Sequence, residues 1–221
     1  MDFFSYSWSI REKFFEETIA TLYMTFFSAL IAGILGLILG VLLVVTRKGA
    51  VLESIWLNHI LDKITNLLRA VPFIIMIALV APITRQLVGS RIGETAAIVP
   101  MVFTCTPFFA KQVEQALSSI DRGLIEAALS MGDGPMDIIF GVYLREGIPH
   151  LIRATSITLI SLLGLTTMAG TIGAGGIGNL AITVGYSRYK DDVTLVCLII
   201  ILLFVYLIQA IANWLIRKTS H

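Results

Sequence analysis

The sequence predicts an all-α membrane protein with five spanning helices. Of its 221 residues, 57% are hydrophobic and 14% are charged, whereas a soluble domain has about 25% charged residues. Three segments, 18–46, 154–187 and 193–216, contain no Asp, Glu, Lys or Arg, and each is long enough for a spanning helix, which needs about 20 apolar residues. A soluble protein with a very hydrophobic core is the alternative, but runs of this length would leave it no water-facing side.

The first spanning helix is predicted over residues 18–45, after a lead-in formed by residues 1–17. The lead-in is rich in aromatic side chains, which suit the headgroup level of a membrane. Within the span, Gly33, Gly36 and Gly40 have the spacing of small residues that lets two helices approach closely. Glycine is also common in membrane helices without such a role, so the spacing alone leaves both interpretations open.

The second and third spans are predicted over 60–81 and 94–115, with a short loop at 82–93 between them. Pro72 is expected to kink the second span because proline removes a backbone donor. Asp62, Lys63 and Arg69 are placed in its first turns, where long side chains reach towards the headgroups. Proline residues in the third span predict a bent helix inside a bundle.

The fourth and fifth spans are predicted at 154–169 and 193–216. A glycine-rich segment at 170–178 and a loop up to Asp192 separate them, and residues 217–221 form a tail. The segments 47–48 and 111–153 and the C-terminus carry more Lys and Arg than the opposite side. The positive-inside tendency therefore predicts the N-terminus outside and the C-terminus in the cytoplasm.

Gly173, Gly175 and Gly178 match the spacing G-x-G-x-x-G of a dinucleotide-binding turn. That turn requires a preceding strand and a following helix within a βαβ unit, but here an apolar membrane segment precedes the glycines. We therefore expect these glycines to let backbones pack closely, or to let a helix break where it lines a cavity.

Other function classes lack the residues that they need. No G-x-x-x-x-G-K-[ST] occurs, so the chain has no phosphate-binding P-loop of its own. No His, Asp or Glu is predicted at mid-span to serve an intramembrane enzyme. A stand-alone secondary transporter would show internal repeats and charges at mid-membrane, and neither is evident. The net charge of +1 gives no indication of nucleic-acid binding.

The segment 121–149 is predicted to hold a docking surface. It starts with a short amphipathic helix that ends near Gly132, and Pro135 begins a further helical turn. A basic polar side would favour lipid, but this one is mainly acidic and so favours a protein partner. The acidic residues are Asp121, Glu126, Asp133 and Asp137.

Glu126, Ala127 and Ala128, followed after three residues by Gly132, resemble the EAA coupling motif of bacterial ABC importer permeases. In that family the loop forms a coupling helix that docks into a cleft of the ATP-binding subunit. Glu126 either accepts hydrogen bonds from that partner or is solvated on its own helix. The family pattern continues as I-x-L-P, but this chain has Arg145 at the proline position, and Pro149 is expected to take its place.

Longer stretches, 67–100, 107–117, 123–132 and 171–181, resemble the methionine-importer permease subfamily. The resemblance implies the type I ABC importer permease fold over residues 18–216, with a coupling loop at about 121–137, in the bacterial inner membrane. It implies a homodimer, two ATP-binding subunits and an extracytoplasmic methionine-binding protein or lipoprotein. ATP and magnesium would be bound by the ATPase, leaving this chain with no cofactor, metal or catalytic residue.

Met168 is the candidate gate of the transport path. It is the one long flexible side chain among Thr166, Thr167, Ala169 and Gly170, although methionine in a core usually fills gaps. The substrate follows from the resemblance and not from any residue spacing. The same machinery importing another amino acid or a related compound remains the alternative, beside a stand-alone secondary transporter.

Overall fold

The computed structural model describes residues 5–219, and this part of the chain is helical throughout, without strands. Four helices are long and apolar enough to cross a membrane, and a bent helix pair is a candidate for a fifth crossing. The predicted all-α architecture is therefore confirmed. The remaining short helices lie before the first span, between the third and fourth spans and between the fourth and fifth.

The first spanning helix is longer than predicted. Helix α1 covers Ser5–Ser9, and α2 runs over Arg11–Val45, seven residues before the expected start at 18. The second half of the predicted lead-in thus continues the span, while residues 1–4 lie outside the described part. Asp192 holds α1 in place, because both the backbone N–H and the hydroxyl of Ser7 donate to its carboxylate at 2.8 Å.

The second span is broken rather than kinked. Helix α3 covers Ile55–Ala70 and α4 covers Phe73–Val88, and their axes differ by 109°. The prediction of one kinked helix over 60–81 is wrong, as is that of a loop at 82–93, because α4 continues through most of that stretch. Arg69 consequently lies in the last turn of α3 and not near the start of a span.

The third, fourth and fifth spans are present with extended ends. Helix α5 covers Glu94–Ser118, α8 covers Ile148–Ala169 and α10 covers Asp191–Thr219. Between α5 and α8 lie the short helices α6, Arg122–Ser130, and α7, Pro135–Ile138, the second of which widens into a π-helical stretch over Ile139–Leu144. Helix α8 starts six residues earlier than predicted because Ile148 and Pro149 supply its first turn.

The glycine-rich segment breaks the helix as expected, while the chain after it is more helical than predicted. The backbone leaves helical geometry at Ile172 and Gly173, where φ is −105° and 91°, and Gly175 and Gly176 also have positive φ. The helix resumes as α9, Ile177–Leu180, which continues over Ala181–Tyr186. The expected loop up to Asp192 is therefore limited to a few residues after Tyr186. The dinucleotide interpretation is excluded here, because a helix and not a strand precedes the glycines.

Helices α2 and α5 pack along most of their length. A side-chain carbon added at Gly36 would lie 2.9 Å from Phe109, and one added at Gly40 would lie 2.6 Å from the carbonyl oxygen of Ala110 and from Val113. Gly33, by contrast, faces open space. The predicted close approach is thus confirmed for two of the three glycines, and their partner is α5.

Candidate coupling surface and transport path

Helix α6 is fixed to the body of the protein by its start and by one side. The carboxylate of Asp121 accepts a hydrogen bond from the backbone N–H of Gly123 at 2.9 Å, which satisfies one of the free donors of the first turn. Ala128 is buried and Ile125 packs beside it, against a cluster that includes Val45 and Leu117. The opposite side of α6 carries Glu126 and Ala127 into solvent.

The end of α6 is a Schellman turn centred on Gly132. The N–H of Gly132 donates to the carbonyl of Leu129 at 3.1 Å, and the N–H of Asp133 donates to that of Ala128 at 3.1 Å. Gly132 has φ of 87°, a left-handed conformation that side chains with a Cβ disfavour. The prediction that this glycine permits a tight turn at the end of the amphipathic helix is confirmed.

Helix α7 anchors the other half of the segment. Ile138 and Ile139 are buried, and Tyr143 is buried one turn later. Gly147 then allows the chain to pass closely, since a Cβ there would lie 2.5 Å from both Leu117 and the carbonyl oxygen of Tyr143. Sequence inspection missed Gly147; its position just before the helix-initiating Ile148–Pro149 was the available signal.

The side of α6 and α7 that faces away from the protein exposes large apolar side chains. Met131 is 77% exposed, Phe140 66% and Met136 62%, and Leu124 and Leu129 are about half exposed. The carboxylate of Glu126 accepts no hydrogen bond and forms no ion pair within residues 5–219. An apolar surface rimmed by unpaired acids is typical of a protein-docking site and disfavours an anionic lipid surface. We call this face of residues 121–140 the coupling surface.

Met168 lies near the end of α8 and points away from the core of its own chain. Its side chain is 51% exposed, although Thr166 and Ala169 beside it are buried. It therefore does not fill a gap in the packing of this chain.

The glycine-rich segment is held by two polar side chains of α2 that sequence inspection missed. The carboxylate of Glu17 accepts the N–H of Gly176, and the hydroxyl of Thr21 accepts the N–H of Ile177 at 2.8 Å. These are the free backbone donors at the start of α9, so α2 caps that helix from outside. No local sequence pattern connects positions separated by 156 and 159 residues, which explains why these contacts were missed.

A family model described as the binding-protein-dependent transport system inner membrane component matches residues 32–221. The chain belongs to this family. It is thus a permease subunit of an ABC transporter and a multi-pass protein of the bacterial inner membrane. The match covers the coupling surface, Met168 and the glycine-rich segment, while all of α1 and the part of α2 before residue 32 lie outside it.

Individual relatives are similar over most of this permease. It is 44% identical to the probable D-methionine transport system permease protein MetI of Pasteurella multocida, over 93% of this chain and 94% of the relative. It is 42% identical to the methionine import system permease protein MetP of Bacillus subtilis, over 78% of each chain. It is 45% identical to MetI of Escherichia coli K12, over 68% of this chain and 69% of the relative.

Solved structures give the same architecture. A crystal structure of the MetNI methionine ABC transporter in an inward-facing conformation matches with a TM-score of 0.94 and 39% identity, covering 96% of this chain and 99% of the other. An amino acid ABC transporter crystallised with histidines matches with a TM-score of 0.80 at 18% identity and supports the fold alone. The predicted type I importer permease fold is confirmed.

Proposed function

We propose that this permease forms the translocation path of an ATP-driven methionine importer. The observation that carries the proposal is the near full-length similarity to D-methionine permeases, which includes the exposed coupling surface. The same machinery importing another amino acid or related compound is the alternative. A stand-alone secondary transporter is disfavoured, because a large docking surface serves no purpose in a protein that works alone.

The assembly proposed is a homodimer with two ATP-binding subunits and an extracytoplasmic methionine-binding protein or lipoprotein. ATP and magnesium are bound by the ATPase subunits, and this chain is not itself catalytic. ATP-driven closure of those subunits moves the two coupling surfaces, and the spans change between inward-open and outward-open arrangements. Because Ala128, Ile138 and Tyr143 are buried, the coupling surface moves as one body with the inner ends of α2 and α5.

The residues proposed for coupling are Glu126, Ala127, Ala128 and Gly132. Glu126 supplies an unpaired carboxylate to the partner, and Ala127 leaves room for close contact. Ala128 seats α6 on the permease, and Gly132 turns the chain so that Met131 and Met136 lie on the outer side. Met168 is proposed as the gate, where the two copies in the dimer meet across the path.

Uptake measurements on a strain lacking this gene test both the substrate and the coupling. Labelled methionine is supplied at low concentration, and the strain receives the wild type, Glu126→Arg or Glu146→Arg. Glu146→Arg is the control, because it makes the same charge change at an exposed position outside residues 121–137. We expect Glu126→Arg to reduce uptake at least about fivefold, because a reversed charge at an interface is repelled by the partner residues that faced the original charge. Glu146→Arg should transport normally.

The outcomes separate the two parts of the proposal. Unchanged methionine uptake after deletion would remove the substrate assignment, and competing amino acids would then be screened. Normal uptake by Glu126→Arg, at equal membrane levels, would remove the docking role of Glu126 whatever the substrate proves to be.

A further inference from the structure

A cavity of about 430 Å³ lies between α3, α5 and α8, away from the coupling surface. Its volume is within the range of small-molecule sites, roughly 300–1,000 Å³. Four polar side chains line it, and Phe108 and Leu165 contribute apolar surface. The polar residues are Asn66, Arg69, Thr104 and Ser161.

The cavity lies deep in the membrane-spanning part. Thr104 and Ser161 are near the middle of α5 and α8, and Arg69 is the penultimate residue of α3, beside the break before α4. A broken helix leaves backbone groups without partners, and at membrane depth such breaks occur where the backbone lines a cavity. The break in the second span is therefore tolerated because the backbone lines this cavity.

Arg69 is the single charged side chain that lines this cavity. Within residues 5–219 it forms no ion pair, while Asp62 on the same helix is paired with Lys111, which also contacts Glu114 at 2.7 Å. A charged residue within spanning helices marks a functional position, and the side chain of Arg69 is exposed on this chain and so available to a ligand. Its planar fork of donors fits a carboxylate with two parallel hydrogen bonds.

Thr104 gives a second, independent indication. Its hydroxyl oxygen is buried and has no hydrogen-bond partner. Other span threonines donate to the carbonyl one turn earlier, as Thr158 does to Ala154 at 2.8 Å. Within residues 5–219, Thr104 is the residue with a buried, unpartnered hydroxyl that lines this cavity. Its oxygen is closed off from the cavity in this conformation, so a ligand would supply the missing bond only after a χ1 rotation turns the hydroxyl towards it.

We propose that this cavity is a substrate site within the permease, and that Arg69 binds the carboxylate of the transported amino acid. The proposal rests on the proposed function. The Thr104 hydroxyl completes the polar contacts, and Phe108 and Leu165 receive the apolar side chain. The site thus disfavours an amino acid with a cationic side chain, which Arg69 would repel, and the apolar wall at Phe108 and Leu165 favours an apolar side chain.

Protection from thiol labelling tests the site directly. Ser161→Cys is introduced into the permease, which is assembled with its ATPase subunit in lipid nanodiscs without the binding protein. Both native cysteines are replaced by alanine in all variants, because Cys105 itself lines the cavity and would react beside the reporter. Labelling by a small thiol reagent is measured with methionine and with methioninamide, which lacks the carboxylate. Leu165→Cys, one turn further along α8, is the second reporter if Ser161→Cys does not assemble.

We expect methionine to slow the labelling and methioninamide to leave it unchanged. Arg69→Gln should raise the methionine concentration needed for protection about tenfold or more, since a charge-assisted bond is lost. Arg69→Lys should give an intermediate value and Thr104→Val a smaller increase. Lys63→Gln, which removes a cation of the same helix outside the cavity, should protect like the wild type.

Protection that persists in Arg69→Gln, or that methioninamide gives equally, would overturn the proposal, because an effect from another site does not need this guanidinium. Uptake by the same complex, with binding protein added, separates the two proposals. Methionine uptake without protection would overturn the site alone. No methionine uptake by the wild type would overturn the proposed function and the methionine site with it.

Discussion

Gly132 shows how one residue determines the shape of the coupling surface. No atom lies within 4 Å of the position that its Cβ would occupy, so space does not require glycine there. The requirement comes from the backbone alone, whose φ is 87°. A residue with a Cβ pays about 1–2 kcal/mol in this conformation, and a β-branched one is the most restricted.

Gly132→Val should therefore reduce methionine uptake several-fold at an unchanged membrane level of the protein. The strain shifts the Schellman turn and with it the outer side chains of α6 and α7. Gly132→Asn is the matched variant, because asparagine tolerates the left-handed conformation, and it should retain most of the uptake. Equal activity of the two variants would show that the turn geometry does not matter for coupling.

Met168→Ala should make the transport path leaky. If two copies of this side chain close the path, shortening both opens it, and methionine should leave loaded proteoliposomes without ATP. Ile157→Ala shortens another exposed apolar side chain of α8 and should not leak. Efflux that is equal in the two variants would remove the gate role of Met168.

The role of a residue could be predicted where it depends on its sequence neighbours, and was missed where it depends on a contact with a distant part of the chain. Gly132 and Pro135 act through their own backbone, so their sequence neighbours were sufficient to predict a helix end and a helix start, whereas the helix start at Pro149 was missed. Glu17 and Thr21 act on the start of α9, far away in the chain. Nothing near them in the sequence distinguishes them from other polar residues at the end of a span.

At the scale of elements, the contact between α2 and α5 should be sensitive to residue size. Gly40→Leu places a side chain where Val113 and the backbone of Ala110 already lie, and overpacking of this kind costs about 1–3 kcal/mol or more. We expect loss of thermal stability and of folded protein in detergent. Gly33→Leu changes the same helix at a position facing open space and should be near neutral. Similar losses in both variants would contradict the packing described.

The break between α3 and α4 shows why element boundaries were the weakest part of the prediction. Pro72 indicated a kink, because one missing donor bends a helix without ending it. In the structure Val71 and Pro72 have extended backbone, with ψ of 120° and 139°, so α3 ends there and α4 starts in a new direction. Whether a proline kinks or ends a helix depends on the space around it, here the cavity beside Arg69, and hydropathy carries no information on that space.

At the scale of the whole molecule, the predicted orientation can be tested by labelling cysteines introduced one at a time at two exposed positions. Tyr189, between α9 and α10, is 90% exposed and Met131, at the end of α6, is 77% exposed. With the N-terminus outside, a membrane-impermeant thiol reagent should label Tyr189→Cys in intact cells and Met131→Cys only after the membrane is opened. The reverse pattern would invert the topology.

Helix α2 has one further consequence for transport. Its N-terminal half holds the start of α9 through Glu17 and Thr21, and its C-terminal end, at Val44 and Val45, packs in the same cluster as Ala128 and Ile138. With 35 residues it is about 52 Å long. One uninterrupted helix thus contacts the segment that carries the coupling surface at one membrane face and the glycine-rich segment after α8 at the other. A displacement of α2 at either face is therefore transmitted to the opposite face unless one of these contacts slides.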